Sequence, residues 1–170
     1  MSLDLYLFKL LYDFPHRYGV LIWLANFISN YLIYFLVLTF ILFLFFKVSS
    51  RERLYLLSLT ILSIVITRGI VTEMIRFFYY RSRPFIELNL PVFDHAVSGS
   101  LPSGHMTFLI PMALAAWCEN RKLGAWLFGL TILIGVTRVA SGFHWPTDII
   151  SGIAIGAIFF YLIKRLLPRP

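Results

Sequence analysis

The sequence predicts an all-α protein, a polytopic bundle of about five to six transmembrane helices preceded by an amphipathic helix. Of its 170 residues, 59% are hydrophobic, whereas soluble domains are usually about half apolar. Several apolar runs are long enough to cross a bilayer, for which about 20 residues suffice. None of them shows the period-two alternation of a membrane-spanning β-barrel. A single membrane-embedded domain over residues 1–170 is therefore expected.

Residues 1–28 are predicted to form an interfacial N-terminal segment, and residues 29–170 the helical bundle. Over residues 2–15 leucines are interrupted by charged side chains, which is typical of a helix that lies on the membrane or packs across the end of a bundle. Residues 18–46 exceed the length of one span. They are interpreted as a short tilted helix followed by a first span over 29–46, with two short spans as the alternative.

Four further spans follow, separated by charged turns or by segments that contain Pro and Gly. They cover residues 54–78, 105–117, 123–140 and 148–163. Consecutive spans of an up-and-down bundle run in opposite directions. The end of the second span, the start of the third and the connection between the fourth and fifth therefore lie at one membrane face, called the site face below.

The distribution of Lys and Arg predicts the orientation of the bundle. The face opposite the site face has eight of them: Lys47, Arg51, Arg53, Arg121, Lys122, Lys164, Arg165 and Arg169. Apart from the arginines discussed next, the site face has Lys9, Arg17 and Arg81. Because positive loops stay in the cytoplasm, we expect the site face outside, at the periplasmic surface of a bacterial inner membrane, and the C-terminus inside. Topology thus accounts for the net charge of +7, and no nucleic-acid partner is expected.

Two polar clusters at the site face are suited to an anion. Arg76, Arg83 and Arg138 carry planar guanidinium groups that match phosphate oxygens, although a lone arginine at a span end can also be an interfacial anchor. The segment Pro102-Ser103-Gly104-His105 opens a helix. Free N–H groups and the helix dipole attract anions there, with ordinary helix punctuation as the alternative. His105 is expected in the first turn, beside any bound anion.

His144 and Asp148 form a third cluster, with a spacing of i, i+4. Since Pro146 is compatible with a first helical turn, both side chains can lie on one helix face. A carboxylate that accepts a hydrogen bond from one imidazole nitrogen leaves the other available as a nucleophile. The alternative is a histidine that only caps the helix. No carboxylate pair or His cluster offers metal ligands at this face, and the single cysteine, Cys118, provides no Cys-based site.

Taken in chain order, these residues fall into three clusters, with Arg138 in the third, and together they resemble the signature of the type 2 phosphatidic acid phosphatase (PAP2) superfamily: Lys-x6-Arg-Pro, Pro-Ser-Gly-His and Ser-Arg-x5-His-x3-Asp. Here the first reads Arg76-x6-Arg83-Pro84, and the second is the segment 102–105. The third reads Thr137-Arg138-x5-His144-x3-Asp148. Arg76 stands where the family usually has Lys, which keeps the charge, and Thr137 replaces Ser, which keeps the hydroxyl. The order and spacing of all three clusters match.

The resemblance implies a phosphatase that needs neither metal nor cofactor. It implies that His144 attacks phosphorus to form a phosphohistidine, that Asp148 orients it, and that His105 protonates the leaving oxygen. It also implies the groups that hold the phosphoryl oxygens: Arg76, Arg83, Arg138, Ser103 and Gly104.

The same resemblance favours a membrane lipid substrate, with undecaprenyl diphosphate first. The run Arg83-Pro84-Phe85, the lead-in Asp94-His95-Ala96 and the segment 142–146 resemble bacterial undecaprenyl-diphosphate phosphatases. Those enzymes often carry Asp where Gly104 stands, so lipid A 1-phosphatase and phosphatidylglycerophosphate phosphatase are alternatives within the family. A lipid transporter without hydrolysis is the alternative of another class. It would need a polar path through spans that are mostly apolar.

Six ionisable residues outside the clusters also receive predictions. Arg68 and Glu73 lie within the second span and are expected to face the bundle interior, where charged groups are tolerated. A structural pair is one interpretation of them, and substrate contact is the other. Arg81 and Glu87 are expected to be solvated loop residues, as are Asp94 and His95.

Overall fold

The computed structural model describes residues 2–91 and 98–169. All regular structure in these two ranges is helical, as predicted. The helices are α1 (Leu3–His16), α2 (Gly19–Lys47), α3 (Ser50–Phe78), α4 (Pro84–Glu87), α5 (Gly104–Glu119), α6 (Arg121–Ala140) and α7 (Pro146–Leu166).

Four of the described helices, α2, α3, α6 and α7, are long and apolar enough to cross a membrane. The helix α5 has 16 residues and lies below the length of a full span. The count of about five to six spans is therefore not established by the helix lengths. The division predicted before residue 29 is wrong, because α2 is one helix of 29 residues. Its sequence has no Pro, and its only Gly is the first residue, so nothing interrupts the backbone hydrogen bonds.

The helix α5 lies at the centre of the bundle and packs against α3, α6 and α7. Its Met106, Leu109 and Ile110 are completely buried. A Cβ atom on Gly152 of α7 would lie 2.7 Å from the Cβ of Met106 and 2.9 Å from the carbonyl oxygen of Ser103. The glycine is therefore what allows α7 to approach the start of α5.

The helix α3 contains a π-helical segment, Val65–Val71, in place of regular α-helix. Two buried threonine hydroxyls fasten this segment to α5. Thr67 Oγ1 lies 2.6 Å from the carbonyl oxygen of Ser63 and 2.7 Å from that of Thr107. Thr72 Oγ1 lies 2.7 Å from the carbonyl oxygen of Thr67 and 3.2 Å from Thr107 Oγ1. Because Thr107 belongs to α5, these contacts connect the segment to that helix.

The helix α1 lies across the end of the bundle, beside the start of α7. Phe8 is buried, and its ring centroid lies 5.1 Å from that of Trp145. Asp4 accepts hydrogen bonds from the N–H and hydroxyl of Thr147, at 3.1 and 2.8 Å. These contacts agree with packing across the bundle end, while contact between α1 and the bilayer surface stays a prediction.

Candidate active site

The three sequence clusters meet around one cavity of about 310 Å³. Six of the eight predicted site residues line it: Arg76, Arg83, Gly104, His105, Arg138 and His144. The other two, Ser103 and Asp148, are fully buried; Ser103 directly precedes Gly104, and Asp148 lies four residues after His144. The N–H of Ser103 donates to the carbonyl of Asp148 at 3.0 Å, which joins the first turns of α5 and α7.

His144 lies in the short connection between α6 and α7 and is 2% exposed. Its Nδ1 is 3.4 Å from Asp148 Oδ2, so the i, i+4 spacing does bring the two side chains together. Pro146 is the first residue of α7, as expected, and Asp148 Oδ2 accepts a hydrogen bond from the N–H of Trp145 at 2.8 Å. The carboxylate is thus fixed by the helix start and faces the imidazole.

The surroundings of His144 keep its imidazole neutral. Burial is the largest cause and lowers the pKa of His144 well below its usual value of 6.5. The positive charges of Arg138, Arg83 and Arg76 lower this pKa further, in that order. A neutral imidazole has one nitrogen with a free lone pair. His144 is therefore in the protonation state that a nucleophile requires at neutral pH.

Arg83 lines the cavity and is 5% exposed. Its Nε donates to the carbonyl of Ser98 and one terminal nitrogen donates to Ser98 Oγ, both at 2.9 Å. The other terminal nitrogen lies 3.3 Å from the carbonyl oxygen of Phe143. Burial, and then the charge of Arg76, lower the pKa of Arg83 to about 10. The guanidinium still keeps its positive charge at pH 7.

Arg138 and Arg76 complete a group of three guanidinium ions. Arg138 is 3% exposed, contacts Ser29 Oγ at 3.3 Å, and lies over the ring of Phe143 at 4.4 Å from its centroid. Arg76 donates to the carbonyl of Pro102 at 3.1 Å. Placing three like charges around one cavity, two of them on buried side chains, is unfavourable without a compensating anion. The cavity is therefore suited to a group with multiple negative charges, such as a phosphoryl group.

Ser103 is the N-cap residue of α5 but does not cap it with its side chain. Its buried Oγ has no hydrogen-bond partner among the described residues. Together with the first N–H groups of α5, this hydroxyl can bind an anion at the helix start. His105 follows in the first turn and lines the same cavity as His144.

Arg81 was missed as a site residue by sequence reasoning, and the prediction that it is a solvated loop residue is wrong. It donates to Asp148 Oδ1 at 2.8 Å and to Thr147 Oγ1 at 2.7 Å. It also forms an ion pair with Asp4. A buried carboxylate requires a cationic or hydrogen-bonding partner, and this requirement at Asp148 is the one signal that could have drawn attention to a nearby arginine.

The other charged residues are distributed as follows. Arg68 pairs with Glu73, which is one of the two interpretations above, and it also lines the cavity. The side chain of Glu73 is 54% exposed, so the expectation that it faces the bundle interior is wrong. Glu87 is exposed. Asp94 and His95 lie outside the described residues. In the part of the chain that the structure describes, no three His, Cys, Asp or Glu side chains form a group that could hold a metal ion.

Comparison with known proteins identifies the family. Residues 53–170 match the model of the PAP2 superfamily. The chain is 28% identical over 162 residues to undecaprenyl-diphosphatase BcrC of Bacillus subtilis, covering 94% of this chain and 81% of the relative. Lipid A phosphatases and a phosphatidylglycerophosphatase are also among the related proteins.

Two crystal structures have a similar fold. LpxE of Aquifex aeolicus superposes with a TM-score of 0.76 at 23% identity, over 97% of this chain and 96% of its own. The PAP2-type phosphatidylglycerolphosphate phosphatase of Bacillus subtilis superposes with a TM-score of 0.68 at 20% identity, over 96% of this chain and 83% of its own. At these identities the two superpositions establish the fold alone. With the family match and the apolar helices, they lead to one conclusion: this chain belongs to the PAP2 superfamily and is an integral membrane phosphatase.

Proposed function

We propose that this membrane lipid phosphatase removes the terminal phosphate from a lipid diphosphate, with undecaprenyl diphosphate as the favoured substrate, through a phosphohistidine intermediate. The observation that carries the proposal is the buried His144, which lies 3.4 Å from Asp148 in a cavity lined by Arg76 and by the buried Arg83 and Arg138. Ile33 and Phe108 line the same cavity. A cavity with both guanidinium and apolar walls suits a phosphorylated head group whose chain remains in lipid.

The proposed reaction has two steps. In the first, the free nitrogen of His144 attacks phosphorus, the bond from phosphorus to the leaving oxygen breaks, and His105 donates a proton to that oxygen. In the second, His105 accepts a proton from water, which attacks phosphorus and breaks the phosphorus–nitrogen bond, so that inorganic phosphate and free His144 are produced. Asp148 keeps the imidazole in the reactive orientation.

The remaining proposed site residues stabilise the charge on the phosphoryl oxygens in both steps. Arg76, Arg83 and Arg138 surround the cavity, while Ser103 Oγ and the backbone of Gly104 lie at the N-terminus of α5. Donors fixed before the reaction need little reorganisation in the transition state, which is why such groups contribute strongly to catalysis.

Within the family, lipid A 1-phosphatase and phosphatidylglycerophosphate phosphatase are the alternative activities. The first is favoured by the similarity to lipid A 1-phosphatases of two Rhizobium species, at 29% and 28% identity. The second is favoured by the shared fold with the Bacillus phosphatase. A transporter that binds lipid without hydrolysis is disfavoured by membership of a phosphatase family. We also propose that the site face is periplasmic and that the C-terminus is cytoplasmic, on the basis of the Lys and Arg distribution.

The proposal is tested by phosphate release from three lipids by the purified protein in detergent, with EDTA present. The substrates are undecaprenyl diphosphate, a lipid A 1-phosphate and phosphatidylglycerophosphate. We expect release that persists in EDTA, is fastest with the diphosphate, and is abolished by His144→Ala. If a folded wild-type protein releases phosphate from none of the three, or if the His144→Ala variant keeps its activity, the proposal fails.

A further inference from the structure

Arg68 lines the cavity, yet the reaction proposed above does not use it. It lies within α3, ten residues before the helix ends at Phe78. A charged side chain inside a span is costly unless it faces a cavity or a partner, and for this reason such residues usually have a function. Its one ion-pair partner in the described chain is Glu73, which also reaches Arg76 at 3.4 Å.

The four arginines of the cavity form a series from the interior outwards. Arg138 and Arg83 are 3% and 5% exposed. The side chain of Arg76 is 12% exposed and that of Arg68 is 40% exposed. The three inner guanidinium groups are assigned above to the phosphoryl group that is attacked. Arg68 therefore lies at the open end of the same cavity, where the next part of a substrate would be.

The π-helical segment Val65–Val71 accounts for the direction of Arg68. In a regular α-helix two residues five positions apart point about 140° away from each other. A π-helix has more residues per turn and bonds from i to i+5, which brings Arg68 and Glu73 together. The bonds of Thr67 and Thr72 to neighbouring groups, described above, fix this geometry. The π-helical geometry of this segment thus directs the side chain of Arg68 into the cavity.

Gly104 provides the space that Arg68 occupies. A Cβ atom at Gly104 would lie 2.8 Å from Arg68 Nε and 3.3 Å from its Cδ. The guanidinium therefore lies directly against the first residue of α5, where unpaired backbone N–H groups are concentrated. A charged side chain and a helix N-terminus together provide donors for a second anion beside the first.

We infer that Arg68 and the start of α5 form a second anion subsite, which binds a phosphoryl group on the part of the lipid that leaves with the chain. The inference rests on the proposed function and specifies its substrate class, a lipid with two phosphoryl groups. In a diphosphate the retained phosphoryl group is bonded to the oxygen that His105 protonates. In phosphatidylglycerophosphate the second phosphate is a phosphodiester further along the head group.

The subsite is tested first by direct binding, which does not require turnover. The dissociation constants of inorganic pyrophosphate and inorganic phosphate are measured by calorimetry on the detergent-solubilised protein and on Arg68→Gln. Loss of a hydrogen bond to a charged group should weaken pyrophosphate binding about tenfold, while phosphate binding is unchanged. Arg68→Lys keeps the charge without the planar fork. Its dissociation constant for pyrophosphate should therefore lie between those of the wild-type protein and Arg68→Gln. Arg17→Gln changes an exposed arginine of the site face and serves as the matched control.

Turnover then distinguishes the two sources of the second phosphate. We expect Arg68→Gln to lower kcat/KM about tenfold for undecaprenyl diphosphate and to leave kcat/KM for phosphatidic acid, a monophosphate, unchanged. If kcat/KM of Arg68→Gln falls equally for phosphatidylglycerophosphate, the subsite also accepts a phosphodiester. If kcat/KM for that lipid is unchanged, the subsite is restricted to diphosphates. Both outcomes support the subsite.

Two results would overturn the inference. One is equal binding loss for phosphate and pyrophosphate in Arg68→Gln, and the other is no loss for either, in each case with unchanged thermal unfolding. A third result separates the inference from the proposed function. If the wild-type protein hydrolyses none of the lipids, yet binds pyrophosphate about tenfold more tightly than Arg68→Gln does, the proposed function fails and the subsite is retained.

Discussion

The substitution Arg81→Gln probes a contact between the N-terminal helix and the proposed catalytic pair. Arg81 donates to Asp148 at 2.8 Å, and Asp148 is completely buried. Losing one partner of a fully buried ion pair costs about 3–5 kcal/mol. The side chain of Arg81 is 24% exposed, so water can partly replace it. We therefore expect a loss of about 2 kcal/mol, typical of a hydrogen bond to a charged group.

This loss should be visible in both stability and turnover. For a chain of this size, about 2 kcal/mol corresponds to a Tm lower by about 4–8 °C. Because Arg81 holds Asp148 rather than the substrate, we expect kcat to fall by up to about 30-fold, the rate equivalent of about 2 kcal/mol, while the dissociation constant of inorganic phosphate is unchanged. Thermal unfolding in detergent and steady-state kinetics measure the two effects, with Arg17→Gln as the control on the same face.

A double-mutant cycle tests whether the effect passes through Asp148. In an Asp148→Asn background the carboxylate charge is absent, so Arg81→Gln should have little further effect on kcat, although loss of the ion pair with Asp4 still lowers Tm. The reasoning is refuted if the effects of the two substitutions on kcat are additive. It is also refuted if Arg81→Gln alone leaves both Tm and kcat at wild-type values.

Two further predictions concern the histidines. His105→Ala should lower phosphate release at least ~10²-fold, as expected for a lost general acid, and near-normal release by the folded variant would exclude that role. The pKa of His144 is depressed by burial and by Arg138, Arg83 and Arg76, so its protonation should limit kcat/KM only below about pH 6.5. Since the unfolded chain binds a proton there that the folded chain does not, the wild-type protein should lose Tm relative to His144→Asn as pH falls below about 6.5. Parallel Tm curves for the two proteins would contradict this.

The parts of the fold that follow from local pattern could be predicted from the sequence. Apolar runs between charged turns located the long helices, since a bilayer span requires a continuous apolar segment. The i, i+4 spacing of His144 and Asp148 and the order of the spans brought the three clusters to one cavity. The break predicted before residue 29 failed, because polar side chains such as Ser29 do not stop a helix when no Pro or Gly accompanies them.

The contacts that could not be predicted depend on long-range packing. Arg81 and Asp148 are 67 residues apart, and Arg81 and Asp4 are 77 apart. No local pattern indicates which loop arginine meets a buried carboxylate. The π-helical segment around Arg68 was not foreseen either, because its altered pairing depends on threonine hydroxyls that reach α5, a separate helix.

The central claim is that His144 forms a covalent bond to phosphorus, and trapping this intermediate tests it most directly. The protein is mixed with undecaprenyl diphosphate labelled with radioactive phosphorus in its terminal phosphate, quenched at alkaline pH, digested and analysed by mass spectrometry. We predict acid-labile label on the peptide that contains His144, and none in His144→Asn. Rapid phosphate release without label on His144, or label on another residue, would contradict the account.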